Sequence, residues 1–336
     1  MTIRWGFLGA GSIARSSVGP AVRSAPGHTL HAVAARDERR AAALRPARIY
    51  RRYEQLLEDP EVDAVYVCLH NRAHRVRVGA ALRHGKHVLC EKPLGLTADE
   101  VAAMTAEATA ARRLLVEAAW NRWHPRTRAA ETLLTAGAVG RVEQVVTRFH
   151  GASPAPGNYR REAALGGGAL WDVGCYAVAG ALSALSWQQP TNVTATMTCW
   201  DGGDADLATR ARLDFGATTV VHLVAALDGR DEQFLEVRGD AGVLRLLRPA
   251  FTAGTAPATL QLTLGGAAPR VIEYPATDPY RLMVEAFGAA ARGENAWLVP
   301  LAESSAVATT IDAVRAAGLA PDQAPGRRHP GPVAHS

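Results

Sequence analysis

The sequence predicts an α/β domain on a doubly wound parallel sheet, followed by an α+β domain with a large, open, mostly antiparallel sheet. Three observations carry that expectation. Over the first 120 of 336 residues, short apolar runs alternate with helical stretches. A glycine-rich turn joins the first apolar run to the first helix. Beyond Asn121 the runs lengthen, alternate polar with apolar and are divided by turn residues, as in strands with one solvated face. The expected division is 1–120, 121–319 and a Pro- and Gly-rich tail, 320–336, expected to be disordered.

The elements follow in order. Ile3 to Leu8 is a strand that ends at Gly9, and a helix then runs to about Ser24, kinked or shortened by Pro20. His28 to Ala35 is the second strand; Glu38 to Leu44 is a helix stopped by Pro46. Arg48 to Tyr50 is a very short strand, and Tyr53 to Leu57 a helix ended by Asp59-Pro60. Ala64 to Leu69 is a continuous β-branched run, the pattern of a strand buried on both faces. Ala73 to His84 is helical, His87 to Cys90 extended. Thr97 with Glu100 three residues on predicts a capped helix to about Ala111, and Leu114 to Glu117 is the last parallel strand. After a helix over Pro125 to Ala136, strands are predicted at Val142–His150, Thr191–Trp200, Ala208–Phe215, Thr218–Leu227, Phe234–Arg238, Val243–Arg248 and Leu260–Leu264. A helix at Gly168 to Leu185 interrupts them, and helices at Tyr280–Ala291 and Glu303–Ala317 close the domain.

Composition narrows the function. At 48% hydrophobic residues the chain is too apolar to be disordered. Its 37 basic residues exceed 32 acidic ones, for a net charge of +5, but the arginines are scattered rather than gathered in a stripe. No nucleic-acid motif accompanies them, so no nucleic-acid partner is expected. Four cysteines, Cys68, Cys90, Cys175 and Cys199, form no CxxC pair and read as reduced and mostly buried. His70, His74 and His124 lack acidic or cysteine companions at ligand spacing, so no metal is expected. Neither a signal-peptide pattern nor an apolar membrane-length window is visible, which predicts a cytoplasmic protein with no membrane partner. Only two of the basic residues are lysines, Lys86 and Lys92. A biased genome explains the trade of lysine for arginine, and a lysine kept against that bias invites a functional question. Lys86 reads as an ordinary turn residue.

The turn Gly9-x-Gly11-x-x-Ala14 follows a strand and opens a helix, the context that a dinucleotide-binding fingerprint requires. Gly9 allows the tight turn, Gly11 the approach of a pyrophosphate to the backbone, and Ala14 close helix–strand packing. The positive helix end favours the anion. The end of the second strand selects the cofactor. Ala35 stands where an NAD enzyme places the carboxylate that holds the ribose, and Arg36 offers a planar fork for a 2′-phosphate. NADP(H) is therefore expected over NAD(H). The alternative is that Arg36 and Asp37 are merely exposed loop charges.

Three further motifs are Gly85-Lys86-His87-Val88-Leu89-Cys90-Glu91-Lys92-Pro93, Glu117-Ala118-Ala119-Trp120-Asn121-Arg122 and Gly166-Gly167-Gly168-Ala169-Leu170-Trp171-Asp172-Val173-Gly174-Cys175-Tyr176. Through them the chain resembles the Gfo/Idh/MocA oxidoreductase superfamily over about residues 3–318. Within it, the chain looks most like the dimeric dihydrodiol dehydrogenase and NADP-dependent D-xylose dehydrogenase branch. The resemblance implies a Rossmann domain, a C-terminal sheet that often forms the oligomer interface (homodimer or homotetramer), and hydride transfer at a carbinol carbon of a sugar, cyclitol or related diol. It implies catalytic roles for Lys92, Tyr176 and Asp172. It places Gly9, Gly11, Ser12, Ile13, Ala35, Arg36, Leu69, Asn71, His74, Glu91, Lys92, Trp120 and Arg122 at the cofactor, and Trp120, Tyr159, Arg160, Asp172 and Tyr176 at the substrate. His70-Asn71-Arg72-Ala73-His74 departs from the family's Pro-Asn-x-x-His by having His70 for proline. Physical logic agrees with the roles, since alcohol oxidation needs a proton acceptor and a tyrosine of pKa about 10 needs a nearby cation to serve as one. Asp172 and Tyr176, four apart, share one helix face. Two other readings remain open: a nicotinamide-dependent glycoside hydrolase on the same scaffold, and a non-catalytic cofactor-sensing regulator.

Overall fold

A computed structural model of the chain describes residues 2–319; the expectation for the tail lies outside them. Six parallel strands form the first sheet: β1 (Ile3–Leu8), β2 (His28–Ala34), β3 (Arg48–Tyr50), β4 (Ala64–Val67), β5 (His87–Cys90) and β6 (Leu115–Glu117). Their order, β3-β2-β1-β4-β5-β6, reverses direction between β1 and β4. That reversal opens a crevice beyond the strands' carboxyl ends, where ligands bind in such sheets. Every residue of β4 is buried, as its unbroken apolar run predicts. Phe7 and Tyr66 meet edge to face across the sheet, their centroids 4.9 Å apart.

The helices depart from expectation in an instructive way. The first helix, expected to be kinked or shortened by Pro20, takes its irregularity just before the proline and still reaches Ser24. Residues Ala14–Val18 form a widened turn with i→i+5 hydrogen bonding, which continues directly into α1 (Gly19–Ser24) with Pro20 in its first turn. Widening the ladder there removes the need for an amide hydrogen on the proline. Next come α2 (Glu38–Ala43), α3 (Tyr53–Glu58) and α4 (His74–Arg83). In α5 (Ala98–Ala111) Thr97 caps the first turn, accepting from the Glu100 amide at 3.2 Å, while Glu100 accepts from Leu96 at 2.9 Å.

Lys86 is not an ordinary turn residue. It is buried, and its ammonium donates to the carbonyls of Asp59 at 2.7 Å and Val62 at 2.8 Å. It fastens the loop before β4 from below, because a buried cation must satisfy its donors locally.

The second sheet has eight strands in the order β14-β13-β12-β11-β7-β10-β9-β8. They are β7 (Val142–His150), β8 (Asn192–Cys199), β9 (Asp206–Phe215), β10 (Thr219–Ala226), β11 (Glu232–Gly239), β12 (Gly242–Leu246), β13 (Ala258–Leu264) and β14 (Arg270–Tyr274). All neighbours are antiparallel except β7 and β10. The edge strand β14 is an addition to the predicted set. The helices α6 (Pro125–Thr135), α7 (Cys175–Ser183) and α9 (Leu301–Leu319) pack against this sheet, and α8 (Pro279–Ala291) returns to the first domain, where Phe287 packs on Trp5 at 4.9 Å. One apolar core cluster runs from Ile3 to Val314 and so joins both sheets. The run Ala163–Ser183 is apolar and long enough to cross a membrane, but 83% of its apolar window is buried inside the protein, as in a core helix. The four cysteines are free: Cys90 and Cys175 are buried, Cys68 is half-buried and Cys199 is exposed.

Candidate active site

The site forms where β1, β4 and β5 end and the first turn of the helix before α7 comes down upon them. Gly9, at φ +103°, adopts a conformation open to glycine, and a Cβ there would stand 2.8 Å from the Cys68 carbonyl and 2.9 Å from Leu69. A Cβ on Gly11 would meet only the Cys68 carbonyl at 3.6 Å and would otherwise project into the open crevice. Ser12 and Ile13 are exposed on the same rim. These residues fit a dinucleotide: the backbone is bare where a pyrophosphate would lie and faces a helix N-terminus. At the end of β2, Ala35, Arg36, Asp37, Glu38, Arg39 and Arg51 line an open cleft. Asp37 is turned away to cap α2, accepting from the Arg40 amide at 3.1 Å. Arg36 makes no ion pair among the described residues.

Glu91, Lys92 and Pro93 leave β5 in a fixed posture. Glu91 accepts from Tyr66 at 2.5 Å and from the Lys92 amide at 3.3 Å. His74 is fully buried, and its Nδ1 donates to the Pro93 carbonyl at 2.9 Å. Burial holds the His74 imidazole down at about 4, so it is neutral at pH 7 and donates through one nitrogen only. It thus ties the lysine's loop to α4 rather than presenting itself to the crevice. Asn71, also buried, donates to the Gly166 carbonyl at 2.8 Å and so links the first domain to the glycine-rich stretch.

That stretch leads into the second widened turn, Leu170–Gly174, which continues as α7. Widening takes carbonyls out of the usual i→i+4 ladder. The Asp172 carbonyl accepts from Lys92 Nζ at 2.6 Å, and the Asp172 carboxylate receives Lys92 at 3.2 Å and Arg160 at 2.7 Å. Burial alone would raise the Asp172 carboxyl, but the two cations hold it below its ordinary value. Burial likewise works against the Lys92 ammonium, and Asp172 nevertheless raises it well above the usual lysine value. Tyr176 lies under the lysine, with Nζ 5.1 Å from its ring centroid. Burial pushes the Tyr176 phenol well up despite Lys92, so it is neutral, and its oxygen accepts from Trp120 Nε1 at 2.9 Å. Trp120 in turn stacks on Tyr280 at 4.5 Å. The guanidinium of Arg160 lies 4.8 Å from the Tyr159 ring centroid.

The structure therefore brings Lys92, Asp172, Tyr176, Arg160 and Trp120 into one cluster. Arg122 lies behind it. Its guanidinium pairs with Glu131 at 2.9 Å and with Glu303, and is sandwiched by Trp187 at 4.6 Å and Trp297 at 5.4 Å. Sequence reasoning overlooked Glu117, Tyr66 and Tyr280. Glu117 lies inside a quoted motif and was legible as a charge in an otherwise apolar strand; Tyr280 is remote in sequence and gave no signal.

The comparisons with known proteins agree. Residues 3–118 match the Gfo/Idh/MocA model described as an oxidoreductase family with an NAD-binding Rossmann fold, and residues 127–245 match the Gfo/Idh/MocA C-terminal domain. The chain is 38% identical over 319 residues to a D-xylose 1-dehydrogenase (NADP(+)) of Haloferax volcanii, covering 92% of this chain and 95% of that one. It is 30% identical over 257 residues to a trans-1,2-dihydrobenzene-1,2-diol dehydrogenase of Homo sapiens, covering 75% and 76% of the two chains. Among solved structures, KijD10, a 3-ketoreductase from Actinomadura kijaniata crystallised with NADP and TDP-benzene, superposes with a TM-score of 0.86 at 28% identity, covering 94% of this chain and 98% of that one. With both domains matched in order around the Lys92–Asp172–Tyr176 cluster, the chain belongs to the Gfo/Idh/MocA family of NAD(P)-dependent oxidoreductases.

Proposed function

We propose that the protein is an NADP-preferring dehydrogenase or reductase acting on a carbinol or keto carbon of a sugar, cyclitol or related diol. The observation that carries this reading is the Lys92–Asp172–Tyr176 cluster, its lysine half-buried and its other members buried, at the carboxyl edge of the sheet beside the bare Gly9–Gly11 turn. The similar proteins named above are, by their names, a D-xylose dehydrogenase, a dihydrodiol dehydrogenase and a 3-ketoreductase.

A bound nicotinamide cofactor would supply or accept the hydride. The chain's own residues then handle the oxygen and its proton. Lys92 is held charged by Asp172, so it places a cation and a transferable proton at the substrate oxygen. The Tyr176 oxygen already accepts from Trp120, which leaves its own O–H free to donate into the cleft. Arg160 divides the Asp172 charge with Lys92, which keeps the carboxylate from binding the lysine too firmly to release it. In reduction, the nascent alkoxide takes the Lys92 proton; in oxidation, a neutral Lys92 accepts it. Ala35, the unpaired Arg36 and the neutralised Asp37 and Glu38 support NADP(H) over NAD(H), because a phosphate there meets a free guanidinium while the two carboxylates are paired with Arg40 and Arg51.

The test is a panel of pentoses, hexoses, cyclitols and trans-dihydrodiols assayed with NADP⁺ and NAD⁺ by nicotinamide absorbance, with keto-sugars assayed against NADPH. One substrate class should be turned over with NADP(H) preferred, and Lys92→Met should cut kcat by about 10²–10⁴-fold, the share of a general acid or base, while still binding NADPH. Full turnover by Lys92→Met would overturn the role given to the lysine.

A further inference from the structure

A lysine that surrenders a proton at each turnover must recover it, and substrate and cofactor would occupy the front of the site. The structure opens another side. Behind the cluster is a small cavity bounded on its inner wall by Lys92, Glu117, Tyr176 and Ser304 and on its outer wall by Arg122, Trp187 and Glu303. Its ≈ 20 Å³ is room for one water molecule. On the far side of that outer wall, an open surface groove is lined by the same Arg122, Trp187 and Glu303. On this rear side, three side chains stand between the lysine and bulk solvent, while its 15% exposure lies at the front, where substrate would cover it.

Arg122 bridges Glu131 and Glu303 across the outer wall and lies on the Trp187 ring. Ser186 and Trp187 hold the left-handed backbone at φ +51° and +61°, a conformation that side-chain-bearing residues rarely adopt, and the Trp187 indole lies on the guanidinium. Glu117 stands inside. One of its oxygens accepts from the Leu94 amide at 3.0 Å, and its other acceptor sites face Ser304 and the cavity. The Ser304 hydroxyl is buried, near Glu117 yet without a partner of good geometry. Burial raises the Glu117 carboxyl, opposed by the Ser304 hydroxyl, the Leu94 amide and the charges of Arg122 and Lys92. A carboxyl shifted in that direction holds a proton more readily than an exposed one.

We propose that Lys92 exchanges its proton with solvent through this rear cavity, with Glu117 as the relay and the Arg122–Glu303 pair as the outer gate. The inference rests on Lys92 being the proton-handling group. In the reductive direction a Lys92 N–H bond breaks as the substrate O–H forms. The neutral amine then takes the proton of the Glu117 carboxyl, directly or through one water. The Glu117 carboxylate recovers a proton from solvent when the gate opens. Oxidation runs the same transfers in reverse, so charge and atoms balance with water as the only further participant.

The scarcity of lysine makes the test clean. Protein labelled with ζ-¹⁵N-lysine contains two side-chain ammonium groups, Lys86 and Lys92, told apart by the Lys92→Met variant. Hydrogen exchange of each is followed by NMR with NADPH bound. Glu117→Gln should slow Lys92 exchange at least tenfold and leave Lys86 unchanged, whereas Glu303→Gln should speed it. Ala179→Val, which narrows the same cavity from the α7 side, should slow it as well and serves if Glu117→Gln misfolds. Lys92 exchange that is the same in Ala179→Val and Glu303→Gln as in the parent would overturn the rear route. These readouts use no substrate, so they stand apart from failure of the substrate panel. On whichever substrate the panel identifies, Glu117→Gln should lower kcat and increase its solvent deuterium isotope effect with KM unchanged; a change confined to KM would make Glu117 a merely structural residue.

Discussion

At the scale of single residues, chemistry is set by who shares Asp172. Lys92 lies well above its ordinary value, so at pH 7 it is almost wholly charged. Reduction uses the charged form and should be nearly flat between pH 6 and 9. Oxidation needs the neutral amine, whose fraction grows tenfold per pH unit below the lysine's own value. Its kcat/KM should therefore climb steadily toward alkaline pH, and an oxidation rate that falls above pH 7 would remove Lys92 as the base. Arg36 acts on the cofactor alone. Losing a charge-assisted contact worth about 1.5–3 kcal/mol, Arg36→Ala should weaken NADPH about 10–100-fold in a fluorescence titration and leave NADH unchanged. Equal weakening of both would refute the 2′-phosphate assignment. Lys92 was legible because lysine is scarce here and because it follows a strand at the ligand-binding edge. Lys86 and Arg122 were not. Their partners, the Asp59 and Val62 carbonyls and Glu303, are set by tertiary approach, which local pattern does not encode.

At the scale of elements, the two widened turns matter most. Each lies at a glycine-rich entrance to the crevice, and neither was visible in the sequence, where both spans read as ordinary helix. A helical period does not distinguish i→i+4 from i→i+5 hydrogen bonding over five residues. The second is fastened by Asn71 through Gly166, which is at φ +78° with no room for a side chain: a Cβ would come within 2.8 Å of Asn71 and Leu96. Gly166→Ala should cost about 1–3 kcal/mol, seen as a lower Tm. It should also reduce kcat, because the turn that aims Asp172 is displaced. A wild-type melting curve would show that the stretch is not held as described. The parallel strands were legible from their runs of β-branched residues. The edge strand β14 was not, since Arg270–Tyr274 is short and mostly exposed.

At the scale of the whole molecule, the second sheet holds its helices on one face and leaves the other with side chains such as Arg210, Arg212 and His222 outward. An eight-stranded sheet uncovered on one side offers a broad surface for a second copy, in line with the expected homodimer or homotetramer. Light scattering should give two or four times the chain mass, and His222→Asp, a charge placed in the middle strands, should shift it toward one. A monomer at micromolar concentration would refute the assembly. The general architecture was readable because the two halves use different periodicities.

Lys86 gives up its ammonium to two carbonyls, and Lys92 gives up its own to Asp172. No third lysine exists in the chain. The outside of a protein with net charge +5 is therefore cationic through guanidinium alone. Reagents that seek amines, such as succinimidyl esters, aldehyde fixatives and resins activated for lysine coupling, would find little besides the α-amino group. Immobilising or crosslinking this protein calls for carboxyl or guanidinium chemistry, and acylation that does reach Lys92 becomes a selective probe of the site.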